Sequence, residues 1–182
     1  MARSVYVASV EGHTAKSVVA IGVLEALTKK YPKVGVFRSV TPDSGVDVVL
    51  DLLLANTNIG LDREQSVGVS YREMHEAPEK ALGKILENYK RLEQQCDAVV
   101  VIGSDYTDIF SPAEFSFNAR VAANLGIPMV LVFNGREVYT TSEHLGQADP
   151  RNSQDLLSMA ELAMQEVRKA HTTILAAVVN RA

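Results

Sequence analysis

The sequence feature that most constrains the fold is an alternation of short apolar runs with longer amphipathic stretches. Five runs rich in valine, isoleucine and alanine occupy residues 5–10, 34–40, 98–103, 129–133 and 172–179. Their length and branched side chains are typical of β-strands, and an uninterrupted apolar run indicates a strand covered on both faces. The runs therefore predict a parallel sheet that lies between two layers.

The stretches between these runs carry apolar residues at every third or fourth position, which is typical of helices with one buried face. Examples are Ala20, Leu24 and Leu27; Leu82, Ile85 and Tyr89; Phe117, Val121 and Leu125; and Leu156, Ala160 and Ala163. Strands and helices that alternate with right-handed crossovers form a doubly wound sheet. We therefore predict an α/β fold, a doubly wound parallel sheet with helices on both faces.

Length and composition predict one domain, 1–182, because 182 residues suffice for one substantial core and are marginal for two. The least regular segment, residues 60–78, is expected to hold an edge strand around residues 66–71. A net charge of −4 argues against nucleic-acid binding, and one cysteine fits a reducing compartment. With no apolar run near the roughly 20 residues of a spanning helix, we expect a cytoplasmic protein with no membrane partner.

The segment that most resembles a chemical site follows the first predicted strand. Residues 8–17 read Ala-Ser-Val-Glu-Gly-His-Thr-Ala-Lys-Ser and open a predicted helix. Backbone N–H groups at such a position can cradle a phosphate, a lysine can neutralise it and a hydroxyl can reach a magnesium ion. The candidate nucleotide- or anion-binding residues of this loop are Gly12, His13, Thr14, Ala15, Lys16 and Ser17.

The glycines of this loop depart from the usual phosphate-binding pattern. Ala15 stands where a glycine normally precedes the lysine, and Ser9 or Val10 replaces the leading glycine. A β-carbon at position 15 blocks the close approach of a phosphate or strains the backbone if φ is positive. Two readings remain: an anion site that has lost its catalytic geometry, or an inherited turn in which Lys16 caps a helix or faces solvent.

The order of several motifs resembles the dethiobiotin synthetase-like P-loop domain, and in particular the N-terminal domain of long-form phosphate acetyltransferases. The loop 11–17 is followed by Val-Phe-Arg-Ser-Val at 36–40 and by Cys-Asp-Ala-Val-Val-Val-Ile-Gly-Ser-Asp at 96–105. Phe-Asn-Ala-Arg-Val-Ala-Ala-Asn at 117–124 and Ala-Ala-Val-Val-Asn-Arg at 176–181 complete the match. The resemblance covers nearly the whole chain.

This resemblance implies a regulatory and assembly domain that has no catalytic residues or metal of its own. The reaction acetyl-CoA + phosphate = acetyl phosphate + CoA would be carried out by a C-terminal domain outside this sequence. We accordingly expect the chain to be the N-terminal part of a longer enzyme. Its implied partners are the rest of that chain, further copies in a homo-oligomer and a small-molecule effector.

Departures from the ATP-using relatives support this interpretation. Arg38 stands where dethiobiotin synthetases carry a lysine, and Ile102 stands where they carry a carboxylate that binds magnesium. Asp47 and Asp105 are weak substitutes, and Asp105 is also a candidate to line the pocket. Asn180 matches an asparagine near the adenine base, although it is equally compatible with a solvated chain end.

The remaining titratable residues suggest no further site. His13 alone among the four histidines lies in the loop, and Cys96 has no base nearby in sequence, so we expect an inert, partly buried thiol. The main alternative function is an active ATP-dependent ligase of the dethiobiotin synthetase type. A structural interaction module that binds no ligand is a third possibility.

Overall fold

The computed structural model describes residues 2–104, 112–137 and 149–181. Within these residues, six strands form one parallel sheet in the order β3-β2-β4-β1-β5-β6. Their bounds are β1 Arg3–Ser9, β2 Val34–Thr41, β3 Val67–Ser70, β4 Ala98–Ile102, β5 Met129–Asn134 and β6 Ile174–Asn180. The five strands predicted from apolar runs are confirmed, and so is the edge strand predicted within residues 66–71.

Helices connect successive strands, and each of the four predicted apolar stripes lies within one of these helices. They are α1 Lys16–Thr28, α2 Val48–Leu54, α3 Tyr71–Glu76, α4 Pro78–Glu93, α5 Pro112–Leu125 and α6 Ser153–Lys169, with a short 3-10 turn at Arg63–Ser66. A proline begins α4 and another begins α5, where the missing N–H costs least. None of the helices in the described ranges is long and apolar enough to cross a membrane.

Two apolar cores lie on opposite faces of the sheet and explain why its central strands are apolar without interruption. One core contains side chains of α4, α5 and α6, including Ile85, Val121 and Val167. The other contains Ala20 and Leu24 of α1 and Leu50 and Leu53 of α2. Alternate residues of each strand enter opposite cores, so that every residue of β4 and β5 is buried.

Two short helices escaped the sequence-based prediction. Tyr71–Glu76 forms α3 because Ser70 accepts a hydrogen bond from the Glu73 N–H while the Glu73 carboxylate accepts one from the Ser70 N–H. This reciprocal capping box supports a helix too short to show an apolar period. Asp47 likewise caps α2 by accepting a hydrogen bond from the Leu50 N–H at 3.0 Å.

The two central strands β4 and β1 create the crevice in which ligands of open parallel sheets usually bind. The chain leaves β1 for α1 on one face and leaves β4 for α5 on the other face. Their carboxyl ends are adjacent, as the pairing of Val7 with Ile102 shows. The loop 10–15 lies at this end of the sheet.

Candidate anion-binding site

The loop between β1 and α1 has a backbone conformation that is unusual for its residues. His13 has a φ of 56° and Ala15 a φ of 52°, and both are in the left-handed region that favours glycine. Left-handed residues among right-handed ones turn successive N–H groups toward one concave side, an arrangement that binds anions. The loop thus keeps the backbone shape of a phosphate cradle with an alanine in place of glycine.

The N–H groups of this loop are available to a ligand. Within the described ranges, the backbone N–H groups of Gly12, His13, Thr14 and Ala15 donate no hydrogen bonds to the protein. Ala15, the N-cap residue of α1, makes no side-chain cap hydrogen bond either. Since the positive end of a helix dipole adds to these donors, the loop has the electrostatic character of an anion site.

The outer side of the loop is fastened by the end of β6. The Asn180 side-chain amide donates to the Thr14 carbonyl oxygen at 2.8 Å, and the Arg181 guanidinium donates to the His13 carbonyl oxygen at 3.0 Å. These bonds hold carbonyl groups away from the cradle. Asn180, which the sequence placed beside a base or at a solvated end, therefore contacts the loop itself.

A second fastening is an ion pair between Glu11 of the loop and the distant Arg151, which sequence reasoning missed. Both carboxylate oxygens of Glu11 accept hydrogen bonds from the Arg151 guanidinium, at 2.8 and 2.9 Å. Glu11 also accepts from the Asn134 backbone N–H at the end of β5. The two side chains are only 10% and 11% exposed, so this bidentate pair is a structural clamp. Its partners are 140 residues apart, and no local pattern could have indicated it.

Lys16 is directed into the protein. Its side chain is buried, and its ammonium group donates to the carbonyl oxygens of Gly103 at 2.9 Å and of Ser104 at 2.5 Å. The alternative in which Lys16 caps a helix or faces solvent is therefore wrong. The lysine joins the loop to the carboxyl end of β4, where its charge meets backbone dipoles.

Arg38 brings a second cation to the same strand end. It is fully buried, donates from Nη1 to the Gly103 carbonyl oxygen at 2.5 Å and pairs through Nε with Asp47 at 2.9 Å. Because Asp47 is occupied by Arg38 and by the cap of α2, it is poorly placed to replace a metal-binding carboxylate. The aliphatic Ile102 is fully buried in β4 and offers no oxygen to a cation.

A buried polar network fixes the end of β4. The Tyr6 hydroxyl donates to Asn118 Oδ1 at 2.7 Å and lies 2.8 Å from the Ser39 hydroxyl. The Ser104 backbone N–H donates to the same amide oxygen at 3.1 Å. Burial raises the pKa of Tyr6 far above its ordinary value, so the phenol stays neutral. This network holds Ser104 in place next to Gly103, whose carbonyl oxygen accepts hydrogen bonds from Lys16 and Arg38.

A small cavity lies beside Arg38 at the carboxyl ends of β2 and β4. Its volume is about 220 Å³, and its polar lining comes from Arg38, Thr41, Asp43, Tyr71 and Ser104. The Tyr71 hydroxyl donates to the buried carboxylate of Glu114 at the start of α5. The cavity can hold a compact polar molecule of a few heavy atoms.

The predicted site residues lie together, with one exception. Thr14 is buried, Gly12 and Ser17 are half-buried, and His13 and Ala15 are exposed along the loop. Asp105 lies outside the residues that the structure describes. Cys96 is far from the loop, at the start of β4, where burial raises the pKa of its thiol to about 11. The arrangement can bind an anion through backbone donors, with Lys16 nearby.

The whole chain is similar to curated phosphate acetyltransferases. It is 26% identical over 190 residues to the enzyme from Nitratidesulfovibrio vulgaris and 26% identical over 189 residues to that from Synechocystis sp.. Each match covers 100% of this chain and 25% of the relative, so the chain spans a quarter of these relatives' length. The resemblance to phosphate acetyltransferase is thereby confirmed.

Solved structures show the same fold. The BceF tyrosine kinase domain has a TM-score of 0.56 at 12% identity, over 98% of this chain and 68% of that one. The kinase domain of Escherichia coli tyrosine kinase ETK has a TM-score of 0.56 at 13% identity, over 98% and 67%. The predicted P-loop-type α/β fold is confirmed. A family model described as "AAA domain" matches residues 3–182, and the chain belongs to this family.

Proposed function

We propose that this chain is a non-catalytic regulatory and assembly domain of a phosphate acetyltransferase and binds an anionic effector at the loop 12–17. The acetyl transfer, acetyl-CoA + phosphate = acetyl phosphate + CoA, belongs in this proposal to another part of a cytoplasmic, homo-oligomeric enzyme. The similarity to phosphate acetyltransferases over the whole chain supports the proposal.

The observation that carries the non-catalytic assignment is the position of Lys16. Phosphoryl transfer depends on a lysine and a metal ion that neutralise the charge developing on the phosphates. Here the lysine donates to the carbonyl oxygens of Gly103 and Ser104. Ile102, the last residue of β4, directly precedes Gly103, and its aliphatic side chain cannot bind a magnesium ion.

Retained anion binding is supported by the loop backbone. The N–H groups of residues 12–15 make no hydrogen bonds within the described ranges, while Asn180 and Arg181 hold the opposing carbonyl groups outward. Glu11 is neutralised by Arg151, so its carboxylate does not repel a ligand strongly. A phosphate- or carboxylate-bearing effector matches these donors.

Enzyme assays of the 182-residue chain test the catalytic part of the proposal. We expect no acetyl phosphate formation and no magnesium-dependent ATP hydrolysis, because the required groups are missing or occupied. Phosphate or ADP should nevertheless raise the melting temperature. Lys16→Ala should reduce that rise, and Lys29→Ala, which removes an exposed lysine at the far end of α1, should leave it unchanged. Robust turnover of either reaction by the chain alone would contradict the proposal.

The regulatory part requires the longer enzyme. Deletion of residues 1–182 from it should change its oligomeric state in sedimentation or abolish its response to effectors while acetyl transfer continues. An enzyme that keeps both its assembly and its regulation without these residues would contradict this part.

The alternative of an ATP-dependent ligase is favoured by one observation, the preserved cradle shape of the loop. Magnesium-dependent ATP hydrolysis that disappears in Lys16→Ala would support it. The absence of any thermal shift with ATP would count against it.

A further inference from the structure

Helix α1 is apolar on its outer side as well as on its inner side. The inner side packs into the apolar core that α1 shares with α2. The outer side carries Val18, Gly22 and Ala26, which are all exposed, and residues 18–24 contain no polar side chain. A helix that is apolar all round is typical of one that is covered on both sides. The outer side of α1 is therefore a candidate contact surface.

Helix α2 adds further exposed apolar side chains beside α1. The two helices are neighbours on the same face of the sheet. Val48 is 71% exposed and Leu52 is 46% exposed, and their spacing of four residues places them on one side of α2. On α1, Val18 is 61% exposed. We call these three residues, together with Gly22 and Ala26, the α1–α2 face. Contiguous exposed apolar surface of this kind marks interaction sites.

The α1–α2 face contains both a ridge and a groove. On α2, Val48 and Leu52 form a ridge of branched side chains. On α1, Gly22 has no side chain and Ala26 has only a methyl group, and a β-carbon added at Gly22 would lie in open space. Ridges of residues spaced by four pack into the grooves of a facing helix. The ridge on α2 therefore complements the strip of small residues on α1.

The two helices begin at the same level of the sheet. Tyr6 of β1 and Phe37 of β2 both pair with Val101 of β4, so the three strands are in step. The connections from β1 to α1 and from β2 to α2, residues 10–15 and 42–47, have equal length. Residues at equal distances from the starts of the two helices therefore lie at similar heights.

This arrangement allows the face to bind a copy of itself. A two-fold axis that runs between α1 and α2, parallel to both, places α2 of each copy over α1 of the other. Leu52 of one copy then lies opposite Gly22 of the other, and Val48 lies opposite Val18. Such a contact is isologous, because both copies contribute the same residues and every ridge meets a groove.

The charges around the face also favour a second copy over a charged partner. Asp51 of α2 pairs with Arg63 at 2.6 Å, and Glu25 of α1 pairs with Lys29 at 2.7 Å. Each acid at the rim is thus matched by a base of the same chain. A face with a net charge would repel its own copy and attract a partner of opposite charge, whereas this face has an apolar centre and a balanced rim.

We infer that the α1–α2 face binds the same face of a second copy of this chain and forms a two-fold symmetric dimer. The inference rests on the proposed assembly role and names the surface through which that assembly occurs. Neither the loop 12–17 nor the edges of the sheet take part in the contact.

Sedimentation equilibrium of the 182-residue chain tests the inference. We expect a reversible monomer–dimer equilibrium over about a hundredfold range of concentration. Leu52→Lys should raise the dimer dissociation constant at least about tenfold, because an isologous interface contains each substituted residue twice. Leu157→Lys is the matched control, since it replaces a leucine that is 51% exposed on α6, on the opposite face of the sheet. It should change the constant less than about twofold.

Disulfide trapping tests the pairing of α1 with α2 of the second copy. Equal amounts of Gly22→Cys and Leu52→Cys chains are mixed and mildly oxidised, and the products are identified by mass. The mixed disulfide should form at least about tenfold faster than a disulfide between two identical variants, because the two-fold axis places position 22 opposite position 52. The original chain, whose Cys96 is half-buried, measures the background.

Three outcomes contradict the inference. They are a chain that stays monomeric at the highest concentration, a Leu157→Lys variant that weakens dimerisation as much as Leu52→Lys does, and disulfides that form mainly between identical variants. Failure of the proposed function is read separately, from deletion of residues 1–182 in the longer enzyme. A dimeric chain whose deletion changes neither assembly nor regulation refutes the proposed function and leaves the interface standing. A monomeric chain whose deletion disrupts assembly refutes the interface alone.

Discussion

Replacement of Ala15 by glycine is expected to stabilise the protein. Ala15 has φ 52° and ψ 40° immediately before α1, and its side chain is exposed, so the substitution removes no buried contact. A non-glycine residue in this conformation costs about 1–2 kcal/mol. Glycine in turn costs about 0.4–1 kcal/mol through the greater freedom of the unfolded chain. At the midpoints of these two ranges, the difference is a gain of about 0.8 kcal/mol in the free energy of unfolding.

Urea denaturation and thermal melting measure this gain. For a chain of this size, 1 kcal/mol shifts the melting temperature by about 2–4 °C, so Ala15→Gly should raise it by about 1–4 °C. Ala26→Gly is the matched control, because Ala26 is an exposed residue within α1. There glycine should destabilise the protein by about 1 kcal/mol.

Anion affinity provides a second readout of the same substitution. Without the β-carbon, phosphate can approach the loop backbone more closely, so Ala15→Gly should bind phosphate more tightly in calorimetry than the original chain. If Ala15→Gly destabilises the protein as much as Ala26→Gly does, the left-handed conformation of Ala15 and the reasoning built on it are refuted.

Three further predictions concern the surroundings of the loop and of β4. Glu11→Gln should lower the free energy of unfolding, measured in urea, by about 2–3 kcal/mol, because it leaves Arg151 unpaired. If Glu11→Gln lowers this free energy by the same amount in a chain that already carries Arg151→Met, the clamp is contradicted. Gly103→Ala should lower the free energy of unfolding by about 1–3 kcal/mol, because the new β-carbon would lie 2.8 Å from the buried Asn118 Oδ1. Gly83→Ala is the control: Gly83 has open space around it in α4, so this substitution should stabilise the chain by about 1 kcal/mol. The same urea titrations measure both variants. Cys96, whose pKa burial raises to about 11, should react with iodoacetamide at pH 8 on the order of a hundredfold more slowly than in the unfolded chain. The stability contributed by the buried neutral thiol is fully present below the unfolded-state pKa and is lost as the pH rises through about 11. Equal alkylation rates in the folded and unfolded chains would contradict the raised pKa.

The sheet was predictable because its causes are local and periodic. Parallel strands that are buried on both faces must be continuously apolar, and residues 98–103 and 129–133 show this directly. The helix that follows Ala15 was equally visible from its apolar spacing. The short helix Tyr71–Glu76 was missed because a capping box, rather than a period, determines it.

The sequence also indicated that the loop follows the first strand and that an alanine precedes its lysine. The tertiary structure alone decided which partners the charged groups of the site have. Lys16 meets the carbonyl oxygen of Gly103, 87 residues away, and Glu11 meets Arg151, 140 residues away. Such pairs arise only when the fold brings together loops that are far apart in sequence, because no local periodicity relates their residues.

Strand β6 shows the same contrast between what the sequence determines and what the tertiary structure decides. The sequence of β6 determines an apolar parallel strand, but only the folded structure reveals that Leu175 and Val179 lie uncovered at the edge. Strand order depends on crossover connections and packing over the whole chain, whereas strand character depends on seven consecutive residues. Composition and spacing thus determined what each element is, and long-range packing decided which charges, carbonyl groups and apolar faces meet.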